Sequence, residues 1–215
     1  MRRFIKENQE IIILIALVNF IMAPLWSGIT FLPHSLLTVI SFSLVIFASL
    51  NAAKERVFRF IILSMGWMVL GIIWFEYMND LSLSLSLTRM IFSLLLFVIL
   101  FFILIRNVLR TEKIHIKIII NVMSGFILLG IIGGVCFEML DYFSPDSLIF
   151  TAPKSAYGFY YFSFINLTSV GFGDIIPNSE KAQATVILIG VLGQFYLAFG
   201  VAVFVGKYLN QKTIE

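Results

Sequence analysis

Six apolar stretches, each of roughly the length that crosses a bilayer, constrain this chain more than any other feature in it. They run at about Ile11–Ile29, Ser35–Ala53, Val57–Met78, Leu83–Ile105, Ile116–Leu140 and Ala182–Gly206. A helix rising 1.5 Å per residue covers the hydrocarbon core in about 20 residues. Inside that core no water pairs with the backbone, so each span must satisfy its own N–H and C=O groups as a helix. Of the 215 residues 60% are hydrophobic and only 13% charged, more apolar surface than a water-soluble fold of this size can bury. The expectation is an all-α membrane protein with six transmembrane helices. Pro24 is expected to bend or end the first of them. Leu81–Leu87 alternates Leu and Ser like a strand, but a lone strand in lipid leaves its backbone unpaired, so helix is expected there too. The start, Met1-Arg-Arg-Phe-Ile-Lys6, resembles a signal peptide only superficially. The apolar run after it is too long, and Ala23-Pro24-Leu25 is a poor cleavage site.

Loop charges orient these spans. With the amino terminus placed inside, twelve Lys and Arg fall on the inner side: Arg2, Arg3, Lys6, Lys54, Arg56, Arg59, Arg106, Arg110, Lys113, Lys117, Lys207 and Lys212. Only Arg89, Lys154 and Lys181 fall outside, which completes the fifteen. The bias predicts a multi-pass protein of the cell membrane with both termini cytoplasmic. The outer side is acidic, with Glu76, Asp80, Glu138, Asp141, Asp146, Asp174 and Glu180. The single cysteine, Cys136, excludes an internal disulfide and is expected to pack as a small core residue. His34 and His115 lie near interfaces without companion ligands, so no metal centre of side chains is expected. Trp26, Trp67 and Trp74 fit packing or interfacial anchoring. No catalytic or nucleotide-binding constellation occurs, and no cofactor, enzymatic activity or nucleic-acid partner is expected.

The outer segment between the fifth and sixth spans is not uniformly polar. Asp141 to Pro153 fits a surface turret in which Pro145 and Pro153 break helix. Ser155-Ala-Tyr-Gly-Phe-Tyr-Tyr-Phe-Ser-Phe-Ile-Asn-Leu167 is apolar and aromatic but too short to span, which suits a re-entrant helix buried against protein. Thr168-Ser-Val-Gly-Phe-Gly-Asp174 follows, and Ile175-Ile-Pro177 leads back out. Gly171 and Gly173 permit dihedrals that residues with a Cβ resist. Backbone alternating between left- and right-handed conformations turns successive carbonyls the same way, into a ladder of oxygen dipoles.

This run resembles the selectivity filter of tetrameric potassium channels, usually Thr-Val-Gly-Tyr-Gly-Asp. The resemblance covers about Lys117 to Lys207. It implies a homotetramer in the lipid bilayer, each chain supplying one quarter of a pore that conducts K+ passively. Carbonyls of Ser169, Val170, Gly171 and Phe172 would replace the ion's water shell, with Thr168 and Gly173 completing the filter and K+ bound at those four levels. The Ser169 hydroxyl would form the innermost site, where Thr is commonest, and Phe172 stands where Tyr is usual. Asp174 would ring the outer mouth. Tyr160, Tyr161 and Phe162 resemble the aromatic cuff behind the filter, and Tyr160 fits a simple interfacial aromatic equally well. Glu138 resembles an acidic residue that supports the pore loop, or is an ordinary interfacial carboxylate. Gly193, twenty-two positions after Gly171, matches the family's gating hinge. Ala198, Ala202 and Gly206 form a stripe suited to close inner-helix packing, a pattern common to packed membrane helices in general.

The fourth span departs from the voltage-gated members. Arg89 and Arg106 stand at its ends with sixteen uncharged residues between them, so the gating charges that convert potential into work are missing. Arg89 is expected to snorkel to the outer interface. The expected organisation is a four-helix peripheral domain over 1–110 without gating charges and a two-helix pore domain over 111–215. The nine residues after Gly206 are too few for a nucleotide-binding regulatory domain. A leak, a gate at the filter, a response to lipid or tension, and a separately encoded regulatory subunit are all compatible with that. Two rivals to potassium selectivity stand beside it: a weakly selective monovalent cation channel, suggested by Ser169 and Phe172, and a pore subunit of a potassium uptake transporter.

Overall fold

The structure, a computed structural model, describes residues 8–27, 34–52, 55–78, 83–111 and 116–212. Among the described residues seven helices and two short strands follow one another: α1 (Gln9–Ser27), α2 (His34–Ala52), α3 (Arg56–Met78), α4 (Leu83–Arg110), α5 (Ile116–Phe143), β1 (Leu148–Phe150), α6 (Ala156–Leu167), β2 (Ile175–Pro177) and α7 (Glu180–Lys212). Among the described residues α1, α3, α4, α5 and α7 are long and apolar enough to cross a membrane, and within α2 the apolar stretch is shorter, Val39–Leu50. The chain is a membrane protein. Pro24 does not end α1, which continues to Ser27; its ring removes a backbone donor without stopping the helix there. The alternating Leu-Ser run is helical from Leu83, as lipid demands. Gly28, Ile29, Ala53, Leu81, Ser82 and His115, like the charges at Arg2, Arg3, Lys6, Lys54, Asp80 and Lys113, lie outside the described residues.

The chain divides into two compact units. The first holds α1 to α3, α4 as far as Val108 and the beginning of α5 as far as Ile127. Its core is an aromatic triad: Phe42 lies 5.4 Å from Phe97 and 6.1 Å from Phe20, and Phe20 lies 6.4 Å from Phe97, all edge to face. That geometry sets the positive edge of one ring on the negative face of the next. Several polar side chains within this apolar packing are paired, though the buried Ser124 hydroxyl has no partner among the described residues. Asn19 donates to the Ser41 hydroxyl at 3.0 Å, while Ser43 and Ser49 bond back to the carbonyls of Val39 and Ile46. An unpaired amide or hydroxyl there would cost its full desolvation.

Three ion pairs lie in this unit. Arg89 Nε lies 3.0 Å from Glu76 Oε2, and both side chains are largely buried, at 20% and 13% exposure. Arg89 therefore does not simply extend to water as its position suggests. A carboxylate brought near by α3 gives it a partner where the dielectric is low and attraction correspondingly strong. Arg106 meets Glu55 at 2.5 Å and also lies over the Phe58 ring, 5.9 Å from its centroid. Lys117 lies 3.8 Å from Glu10.

The second unit contains the end of α4 from Leu109, α5 from Leu128 and all that follows. In it α6 packs against α7, and the segment expected to be a surface turret carries a short strand. β1 pairs antiparallel with β2, with Leu148 opposite Pro177, Ile149 opposite Ile176 and Phe150 opposite Ile175. Backbone bonds from Asn178 to Ser147 (2.7 Å) and from Thr151 to Asp174 (3.1 Å) extend the ribbon at both ends. The ribbon ties the two flanks of α6 and its following loop together. Lys207 of α7 donates to the Thr111 carbonyl.

The aromatic triad sets a stability expectation for the first unit. Phe97 is 1% exposed, and Phe97→Ala removes two ring contacts and leaves a cavity, an expected loss of about 3–5 kcal/mol. Thermal unfolding of the detergent-solubilised protein measures it.

Candidate functional site

The site is built around the carboxyl end of α6. Ser155 caps the amino end in extended conformation (φ −137°, ψ 154°), its hydroxyl accepting from the Gly158 amide at 3.2 Å. This satisfies one of the donors a helix start leaves free. At the other end the Ser169 amide donates to the Asn166 carbonyl (3.0 Å) and the Val170 amide to the Ile165 carbonyl (2.8 Å). Those paired bonds are a Schellman ending, whose left-handed residue is Ser169, at φ +59°. Gly usually fills that place, since a side chain makes the conformation about 1–2 kcal/mol less favourable. Gly171 also donates to the Ile165 carbonyl, at 3.2 Å, so the loop leaves the helix already anchored.

Beyond that anchor the backbone alternates. Ser169, Gly171 and Gly173 have φ of +59°, +53° and +78°, while Val170 and Phe172 stay outside the positive-φ set. The alternation expected from the two glycines is present, with Ser169 extending it one step inward. Among the described residues no hydrogen bond is accepted by the carbonyls of Ser169 through Gly173. Five consecutive carbonyls, on residues exposed in the single chain, are thus without a partner in it. The α6 carboxyl end aims its negative dipole end at this loop, which favours a cation over an anion.

Three glycines of α5 let α6 lie against it. A Cβ on Gly130 would enter the Phe164 ring, one on Gly134 the Tyr160 ring, and one on Gly133 would strike the Ser163 hydroxyl and lie 2.7 Å from Ile189 Cδ1. Ser163, fully buried, uses the closeness to donate to the Gly130 carbonyl at 2.7 Å. This packing was missed in the sequence; the small-residue spacing of Gly130 and Gly134 is the signal that could have revealed it. From the far side α7 approaches at Gly193. A Cβ there would strike the Leu167 carbonyl and lie 2.9 Å from Leu167 Cδ1. α7 runs unbroken through this position, and the immediate role of Gly193 is to admit the end of α6.

The remaining expected residues fall around this centre. Phe162 is buried and packs on Phe137 with ring centroids 4.8 Å apart. Glu138 is buried on α5. Tyr161 faces Asp174, whose carboxylate raises the phenol above its ordinary value by hydrogen bonding and charge. One Asp174 oxygen, Oδ1, is buried without a hydrogen-bond partner. The Thr168 hydroxyl is turned back to the Phe164 carbonyl at 2.7 Å, and the Asn166 amide to Phe162 at 2.7 Å, so both serve the helix end. Val170, Phe172, Ala198 and Ala202 are exposed in the single chain. Gln194, unremarked in the sequence, donates to the Ser169 hydroxyl at 2.8 Å. Among the described residues no cluster of three His, Cys, Asp or Glu could hold a metal.

Two expectations follow from these contacts. The raised Tyr161 phenol means that the contact with Asp174 stabilises the fold below the ordinary phenol pKa of about 10 and is lost as pH rises through the elevated value. In a spectrophotometric titration Asp174→Asn lowers the pKa of this phenol, and an unchanged profile rejects the contact. Gly193→Ala forces a methyl into the Leu167 carbonyl and is expected to destabilise by about 1–3 kcal/mol in thermal unfolding. Gly71→Ala, in a helix at a position where nothing lies within 4 Å, is the matched control, expected to stabilise by about 0.5–1 kcal/mol through helix propensity rather than to destabilise.

No curated protein and no solved structure matches the chain. Residues 124–210, which include α6, the alternating loop and almost all of α7, match the family model described as Ion channel, so this part of the chain is supported as an ion-channel domain, and with it passive ion conduction.

Proposed function

We propose that the protein is a potassium-selective channel that conducts K+ passively, formed by four copies around the loop 168–174. The observation that carries this reading is the row of unbonded carbonyls from Ser169 to Gly173 on backbone of alternating handedness. Four such rows about one axis present rings of oxygen dipoles that can replace a dehydrated cation's water. Each chain has one such loop, so closure requires a homotetramer. In this reading six helices span the plasma membrane with both termini cytoplasmic. Residues 1–110 form a peripheral domain, 111–215 form the pore domain, and the Asp174 carboxylates concentrate cations at the outer mouth. K+ in the filter is the transported ion; the reading includes no catalysis. Ala198 and Ala202, exposed in the single chain, would face neighbouring inner helices, and Gly193 combines its packing role with that of a hinge. A separately encoded regulatory subunit remains compatible with this reading.

The same geometry argues for weak voltage sensing. Arg89 and Arg106 are held by Glu76 and Glu55, and no charge lies between them on α4. Moving one charge through the field yields only about 2.3 kcal/mol per 100 mV, so a helix without mobile charge contributes little.

Planar-bilayer recording of the purified protein tests both points. Under opposed K+ and Na+ gradients the reversal potential is expected near that of K+, and open probability is expected to change little over a voltage ramp. Equal permeability to both ions replaces the reading with a weakly selective cation channel. Transport that requires ATP or a proton gradient replaces it with a transporter subunit.

A further inference from the structure

We infer that Gln194 is a positioning residue for the innermost cation site, fixing the Ser169 hydroxyl through a hydrogen bond from α7. The inference rests on the channel reading and adds to it a residue that tunes selectivity. Its basis is a three-part arrangement. Gly193 lacks the side chain that would hold α7 away from the Leu167 carbonyl, so the helix comes into contact with the end of α6. The next residue, Gln194, then reaches Ser169 Oγ at 2.8 Å across twenty-five positions of sequence. Of the two adjacent hydroxyls at that end, Thr168 is oriented by donating to the Phe164 carbonyl of its own helix, whereas Ser169 is oriented from α7.

A serine hydroxyl offers two lone pairs and one proton, and a glutamine amide supplies N–H donors. With one lone pair occupied by Gln194, free rotation of the hydroxyl is lost and a single lone pair remains to face a cation. Both side chains are exposed in the single chain. Ser169 is also the left-handed residue of the helix ending, so its backbone is held by the Asn166 carbonyl while its side chain is held by α7. Main chain and hydroxyl are thus fixed from different elements. A positioned ligand discriminates between ions of different radius better than a rotating one, because the ring cannot relax toward the smaller ion at no cost.

The test uses the full chain reconstituted in liposomes, with K+, Rb+ and Na+ as probes and three variants. Gln194→Met keeps length and helix propensity while removing the donor, Ser169→Ala removes the acceptor, and the third variant carries both. Tetramer recovery by gel filtration establishes that each variant assembles. The expected result is that Gln194→Met lowers the K+/Na+ permeability ratio several-fold, that Ser169→Ala does the same, and that the double variant loses no more than either alone. That non-additivity separates positioning from general packing, because independent structural effects add. An unchanged ratio in Gln194→Met, or additive losses in the double variant, overturns the inference while leaving the channel reading intact. A wild-type protein that passes no cation overturns the channel reading and this inference with it. Should Gln194→Met fail to assemble, Gln194→Leu, uncharged and without the N–H donor, carries the same comparison.

Discussion

The Ile165 carbonyl receives two amides, those of Val170 and Gly171, and the second compact unit is arranged to make this junction possible. A helix that stops inside a bilayer must dispose of its last carbonyls and of the chain that follows, since no water is there to do it. The Schellman ending consumes the carbonyls of Ile165 and Asn166. It also points the chain away from the helix axis with Ser169 already in the left-handed region. From that start the alternation continues through Gly171 and Gly173 with no new device. The helix ending and the ladder of free carbonyls are one piece of backbone chemistry.

Rigidity around this junction comes from close approach on both sides. The glycines of α5 bring α6 near enough for the Ser163 hydroxyl to find the Gly130 carbonyl, and Gly193 brings α7 against Leu167. With no side chain between helices, backbones meet directly, and dispersion and hydrogen bonding replace a hydrophobic force that lipid does not supply. The β1–β2 ribbon closes the loop's two flanks at the opposite end. A loop whose own carbonyls are unbonded can hold one conformation when its ends and neighbours are this constrained.

Much of the fold was legible because its causes are local. Apolar length dictates helix in lipid, and each expected span ends within a few residues of an observed helix or of the described range, except that α4 and α7 run several residues further at their carboxyl ends. The short α6 was legible from its aromatic, sub-span composition, and the alternation at 169–173 from its glycines. Less legible were features set by a partner. Arg89 looked free to reach water because nothing local marks Glu76 as its neighbour. The turret's Leu-Ile-Phe is too short to declare itself a strand until Ile175–Pro177 lies beside it. Gly193 looked like a place to bend; what the fold asks of it first is absence of bulk.

The sequence by itself determined that the chain crosses a membrane as helices, that a short apolar helix too short to span follows the fifth of them, and that the next run carries backbone able to alternate in handedness. Those are properties of residue type and spacing, decided within a few residues of chain. Only the tertiary structure decided which groups steady that run. Ser163 meets Gly130 across thirty-three positions, and Gln194 meets Ser169 across twenty-five. Nothing in either residue's neighbourhood along the chain marks its partner. Such pairs exist because helices pack at contact distance where glycines allow it, and that depends on how whole elements fit together.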